Sequence, residues 1–198
     1  MTALALLDEH PAHRHLRLLA ADLVFAVPGV ATLARTVGAA LASNDSAEQL
    51  LASGELVGVY PEGFKGIGKP FAQRYQLQRF GRGGFVSAAL RAGVPIIPVS
   101  VVGAEEAYPM VADARPVAKA LGLPYFPITP TFPWLGPLGL VPLPSKWTIA
   151  FGQPVETASY GKHRADDQVL VFELADQVKS TIQRTLYELL SQRHSVFF

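Results

Sequence analysis

Four short apolar runs, over 16–20, 55–60, 94–103 and 147–151, alternate with helical patterns, and this alternation constrains the fold more than any other feature. Each run is rich in aliphatic or β-branched side chains and reads as a strand. Helical spacing occupies 2–9, 28–37, 46–53 behind an Asn44/Asp45 cap signal, and 84–92 ahead of Gly93. The pattern predicts an α/β fold, one mostly parallel sheet flanked by helices. The last segment predicts a long amphipathic helix packed on that sheet. Leu170, Leu174, Val178, Ile182, Leu186 and Leu190 recur at every fourth position, with Asp166/Asp167 near the start and Arg193/His194 near the end.

A chain of 198 residues fits one domain spanning 1–198, with a core large enough to need no disulfide or metal. Cysteine is absent, so thiol nucleophiles and thiolate metal sites are excluded. No metal and no bound cofactor are expected. The net charge of +1, with 17% charged residues, excludes nucleic-acid binding through the overall field. The N-terminus lacks the basic and small-residue signals of a secretory leader, which predicts a cytoplasmic protein.

No charge occurs between Lys119 and Lys146, a stretch long enough to cross a bilayer. Pro124, Pro127, Pro130, Pro133, Pro137, Pro142 and Pro144 rule out a spanning helix. Tyr125, Phe126, Phe132, Trp134 and Trp147 suit a lipid–water boundary, with the lysines at the edges. Phe132 and Trp134 are the candidate contacts with a membrane or an acyl chain, which predicts a peripheral location on the inner face.

Between Gly63 and Ala104 there is no acidic residue, while Lys65, Lys69, Arg74, Arg79, Arg82 and Arg91 all fall there. Glycines at 63, 66, 68, 81, 83 and 84 allow close approach of backbone to a ligand, and the last of them open a helix. A phosphate ester is the ligand this composition predicts. The run Gly63 to Lys69 also satisfies GxxxxGK after a strand, but Pro70 stands where a nucleotide-binding loop needs Ser or Thr for magnesium. Nucleotide binding is kept only as an alternative.

Val59-Tyr60-Pro61-Glu62-Gly63, then Phe64-Lys65, and later Val94-Pro95-Ile96-Ile97-Pro98-Val99-Ser100 resemble the third and fourth sequence blocks of the glycerol-3-phosphate and lysophosphatidate acyltransferase family. Arg74-Tyr75, the stretch from Phe80 to Val86, and Gly103-Ala104-Glu105-Glu106 are similar to a bacterial branch of that family. The resemblance implies transfer of a fatty acyl group from an acyl-CoA or acyl-carrier-protein thioester, as co-substrate, to a hydroxyl of a phosphorylated glycerolipid at a membrane surface. It implies that Glu62, Gly63 and Lys65 bind the acceptor phosphate, joined by Lys69, Arg74 and Arg82, with Pro61, Pro95 and Pro98 supporting the site. Ile96 to Val99 is then expected as a buried strand beside it.

The family also implies a His general base oriented by an Asp in an upstream His-x-x-x-x-Asp block. Five residues beyond His10, His13 and His15 stand His15, Leu18 and Ala20. These histidines read as a polar connection, and no catalytic residue is nominated. Asn44 stands where the second block carries a basic residue. No phosphate contact is therefore expected from that block. Met1 falls after the point where the His–Asp block and its strand are expected, which predicts a fold lacking its first strand, with the start assigned too far downstream. The alternative is a non-catalytic lipid- or phosphate-binding remnant of the same fold.

Overall fold

The computed structural model describes residues 1–26, 30–123 and 125–197. In chain order, α1 (Thr2–Asp8), β1 (Leu16–Ala20), α2 (Asp22–Ala26), α3 (Val30–Thr36), β2 (Ala40–Leu41), α4 (Asn44–Ala52) and β3 (Leu56–Gly58) come first. The single-turn helix α5 (Phe64–Ile67), then α6 (Gly84–Ala92), β4 (Val99–Val102) and the single-turn α7 (Ala104–Ala107) follow. The chain ends with β5 (Ala112–Asp113), α8 (Arg115–Ala120), β6 (Pro127–Ile128), β7 (Thr148–Phe151) and the long α9 (Gln168–Ser191). Its contacts divide it into two compact units, one of residues 1–61, 80–97 and 154–177, the other of 62–79, 98–153 and 178–198.

The first unit holds a parallel sheet in the order β2-β1-β3, with Leu19 opposite Ala40 and Arg17 opposite Val57. Helices α2 and α3 connect β1 to β2, and α4 connects β2 to β3, so the α/β class expected from the sequence is the class observed. Its core joins Val86 and Leu90 of α6 to Leu170, Val171 and Leu174 of α9, with Ala165, Ile96 and Val155 around them. Two glycines of the 81–84 turn are explained by this packing. A Cβ on Gly83 would meet Val171 Cγ1 at 2.6 Å, and one on Gly84 would meet Asn44 Oδ1 at 3.0 Å. Helix α4 is capped by Ser43, whose hydroxyl accepts from Ser46 N at 3.1 Å, not by the Asn44/Asp45 pair. Pro28, where the second helix is expected to begin, lies outside the described residues, and the observed helix is α3.

The second unit pairs β4 with β7 antiparallel, Val99 opposite Phe151 and Val102 opposite Thr148, and pairs β5 with β6 antiparallel. Its core centres on Tyr75, Val102 and Leu186, with Ile182, Leu189 and Leu190 of α9 packed against them. The apolar stripe of α9 is therefore a core face along its length.

The strand expected over 96–99 starts later, at Val99. Proline offers no N–H and a fixed φ, so Pro95 and Pro98 interrupt the ladder. In the first unit Ile96 makes only an isolated bridge to Val155, with N–O distances of 3.0 and 2.8 Å, and Ile97 is exposed.

Candidate functional site

Strand β3 ends at Gly58, and the second unit takes over at Glu62. Gly63 turns the chain with φ +56°, and nothing lies within 4 Å of where its Cβ would sit. Its left-handed conformation and open surroundings are what a close approach to a ligand requires. Gly66 is different: a Cβ there would stand 2.7 Å from Glu62 Cβ, because the Glu62 side chain folds across it. Glu62 Oε2 accepts the backbone N–H of Gln78 at 2.6 Å, tying the loop to the segment beyond it. The carboxylate is thus held by a backbone donor and makes no ion pair among the described residues.

The cations divide into two groups. Lys65 is exposed, and its ammonium has no partner among the described residues. Arg79 of the second unit and Arg82 of the first are exposed in the same way. Lys69, by contrast, is buried, its side chain 3% exposed, and donates to Gln76 O at 3.0 Å and Glu105 Oε1 at 3.1 Å. Arg74 lies over the Phe71 ring at 4.5 Å and faces Glu106 Oε1 at 3.9 Å. Arg91 bridges Glu48 and Asp166 of the first unit, 2.7 Å to each. The basic interval is therefore not uniformly a ligand surface: its missing acids lie outside it in sequence, at 105 and 106 for the second unit and at 48 and 166 for the first.

Helix α7 carries Glu105 and Glu106 and brings these two into one ionic cluster. Glu105 Oε1 accepts from Lys69 and from the backbone N–H of Tyr75 at 3.0 Å. Glu106 is 4% exposed, accepts Arg193 Nη1 at 2.8 Å, and takes a short hydrogen bond from the Tyr75 hydroxyl. That hydroxyl also accepts Gly103 N–H at 2.8 Å. Burial, with the Glu106 carboxylate beside it, pushes the Tyr75 phenol well above its usual range, so it stays neutral. Tyr75 itself has φ +62°, held by Glu105 on its N–H and by Gln183 Nε2, which donates to its carbonyl at 2.7 Å.

The side chains of Tyr75, Glu106 and Arg193 have no place in the sequence-derived phosphate site. Their signal was faint: Glu105/Glu106 are the first acids after the basic interval, and Arg193 reads as a helix-terminal cation. Among the histidines, His10 Nδ1 accepts Ala12 N–H at 3.1 Å and His13 Nδ1 lies 2.6 Å from Leu7 O. Among the described residues no group of three or more His, Cys, Asp or Glu side chains is placed to hold a metal ion.

The uncharged segment belongs to the second unit. Thr129 Oγ1 accepts the N–H groups of Phe132 at 2.8 Å and Thr131 at 3.3 Å, and the Tyr108 hydroxyl donates to Leu140 O at 2.8 Å. Phe132 is half-buried against Phe126, ring centroids 5.5 Å apart, and so faces the fold. Trp134 points outward at 73% exposed, accompanied by exposed Leu135, Leu138, Leu140 and Val141. No helix among the described residues is long and apolar enough to cross a membrane.

A parallel α/β sheet with connecting helices is also the architecture of the solved 1-acyl-sn-glycerophosphate acyltransferase of Thermotoga maritima. The two chains superpose with a TM-score of 0.55 at 19% identity, over 90% of this chain and 58% of that one. Residues 1–102 match the Acyltransferase family model, and the chain belongs to that family. It is 60% identical over its whole length to an uncharacterized protein of Mycobacterium tuberculosis, covering 55% of it, and 57% identical to one of Mycobacterium leprae, covering 54%. The chain thus spans about half the length of the curated relatives it matches.

Proposed function

We propose that this chain carries the acceptor-binding part of an acyltransferase that acts on phosphorylated glycerolipids. The supporting observation is the loop at Glu62: a carboxylate tethered to Gln78 N–H, an open left-handed Gly63, and an exposed Lys65 with no partner among the described residues. Such a loop offers one cation for phosphate and one free carboxylate oxygen for a glycerol hydroxyl. In the transfer, the acceptor oxygen bonds to the thioester carbonyl carbon, the C–S bond breaks, and the thiol of CoA or carrier protein leaves. A His–Asp pair takes the hydroxyl proton in the family reaction, and the 198 residues contain no His-x-x-x-x-Asp block. Within this reading Lys69 is committed to Glu105, and Arg74 is not assigned to the loop. Arg82, Pro61 and Pro95 belong to the first unit, and Pro98 to the second. Nucleotide triphosphate binding is disfavoured, because the Lys69 ammonium that would hold the phosphates is buried on Glu105.

The test measures binding of lysophosphatidate and acyl transfer to it from a long-chain acyl thioester. Lys65→Ala is expected to weaken acceptor affinity or raise its KM roughly ten- to a hundredfold, the weight of one charge-assisted contact, and to leave the KM for an unphosphorylated monoacylglycerol unchanged. Equal effects on both acceptors, or no acceptor binding at all by the wild-type chain, would sink the reading.

The same proposal places the protein on a membrane surface, on the cytoplasmic side, through Trp134 and its apolar neighbours. Interfacial insertion of one large aromatic contributes about 1.5–3 kcal/mol. Trp134→Ala is therefore expected to reduce co-sedimentation with anionic liposomes about tenfold in partition coefficient. Phe132→Ala, a residue turned towards Phe126, should reduce fold stability instead. The opposite assignment of the two effects would refute the orientation.

A further inference from the structure

The second unit contains an open cavity of about 480 Å³ on whose wall Arg74, Glu106, Leu190, Arg193, His194 and Val196 meet. Its volume falls within the range of small-molecule sites. Two arginines line it, and among the described residues that do so Glu106 is the one carboxylate. Glu106 is already shared, 2.8 Å from Arg193 Nη1 and 3.9 Å from Arg74 Nε. The neighbouring acid, Glu105, is taken by Lys69 and by the Tyr75 N–H. Among the described residues the lining therefore carries a surplus of one positive charge before the His194 ring is counted. This surplus sits beside a buried ion pair, where solvent screens it less than on an open surface.

The two guanidiniums differ in what they can offer. Arg193 is held by both terminal nitrogens: its side chain is 10% exposed, Nη1 donates to Glu106, and Nη2 donates to Lys146 O at 3.0 Å and Val196 O at 3.2 Å, while its buried Nε has no hydrogen-bond partner among the described residues. It supplies fixed charge. Arg74 is exposed, pre-oriented by stacking on Phe71, and donates to protein only through a long 3.4 Å contact to Phe71 O. Its fork is open to a ligand, and the exposed His194 stands on the same cavity. Leu190 and Val196 add an apolar wall for whatever the anion is attached to.

We infer that this cavity binds a phosphate monoester, with Arg74 and His194 contacting its oxygens and the Arg193–Glu106 pair setting the local potential. A planar guanidinium fork matches two phosphate oxygens at once. None of Glu62, Gly63 and Lys65 lines this cavity, whose binding does not depend on which reaction that loop serves. An acceptor headgroup and the nucleotide end of an acyl donor both carry such a phosphate, so the chemistry is shared and the ligand distinguishes the source.

The test titrates the full chain with inorganic phosphate, sn-glycerol 3-phosphate and coenzyme A, followed by calorimetry and by the His194 ring resonance, assigned through its loss in His194→Ala. Saturable shifts at His194 are expected, with at least one ester binding more tightly than the bare ion; the tighter ester identifies the source. Arg74→Ala should weaken that binding about tenfold or more and Arg74→Lys less, since lysine keeps the charge without the fork. Arg184→Ala, at an exposed cation of α9 that does not line the cavity, should leave it unchanged. Both Arg74 and His194 are exposed, so their replacement is not expected to unfold the chain, which circular dichroism checks. No saturable shift at His194 in the folded chain, tighter binding of inorganic phosphate than of either ester, or equal weakening by Arg184→Ala and Arg74→Ala would overturn the assignment.

Discussion

Glu106→Ala is expected to lower the unfolding free energy by about 3–5 kcal/mol, the loss typical when one partner of a buried ion pair is removed. The carboxylate is 4% exposed and receives Arg193 at 2.8 Å, the Tyr75 hydroxyl and the more distant Arg74. Its removal leaves the Arg193 guanidinium charged, largely buried and short of its best acceptor. The Tyr75 hydroxyl loses its acceptor as well, although it still takes the Gly103 N–H. Urea unfolding of the wild type, Glu106→Ala, Arg193→Met and the double variant measures the effect. Because the two side chains share one interaction, the double variant should lose clearly less than the sum of the singles. A loss below about 1 kcal/mol for Glu106→Ala, within the range of exposed pairs, would show that the cluster is solvated and does not hold the second unit together.

Gly103→Ala should be nearly as damaging, for a reason of geometry and not of charge. Gly103 has φ +108°, where an L side chain is strained, and a Cβ there would stand 2.4 Å from Lys146 O and 3.0 Å from Trp147 Cα. Both obstacles are backbone, so no rotamer change relieves them. Strain of about 1–3 kcal/mol and overpacking of about 1–3 kcal/mol combine. The same residue donates to the Tyr75 hydroxyl and accepts from Ser145 Oγ at 2.7 Å, so a shift of its backbone disturbs both partners. Thermal unfolding followed by near-ultraviolet circular dichroism checks this, with Gly54→Ala as comparison. Gly54 also has a positive φ, +77°, but nothing lies within 4 Å of its would-be Cβ, so its variant should show the strain without the clash. Equal losses at the two positions would remove the steric part of the argument.

These two residues belong to one short stretch, Gly103-Ala104-Glu105-Glu106, whose sequence resemblance to a family block said nothing about what it does. The structure supplies the reason for its composition. A glycine is needed where the chain passes the Lys146–Trp147 backbone, and two consecutive acids are needed because Lys69 and Arg193 each require a carboxylate.

The candidate site was legible only in part. Periodicity and turn chemistry located β1, α4, α6, β7 and α9 close to their observed bounds, because these elements are defined by local spacing of apolar residues. The two prolines at 95 and 98 signalled a weakened ladder, yet the delay of the strand to Val99 depended on which N–H groups its partner could use. The Pro-Glu-Gly loop was visible as a motif. The division of its cations was not, because Lys65 and Lys69 look alike in one dimension and differ only in whether a distant acid folds back onto them.

The amino-acid sequence by itself determined the α/β class, the amphipathic α9, the absence of a spanning helix in 119–146 and the family resemblance, all properties carried by short-range patterns. Tertiary structure alone decided which charges are available. Lys69 pairs across 36 residues with Glu105, and Arg193 across 87 residues with Glu106. Electrostatic energy depends on distance and burial and not on order along the chain, so a basic interval that looked uniform resolved into exposed cations such as Lys65 and the buried Lys69, paired with Glu105.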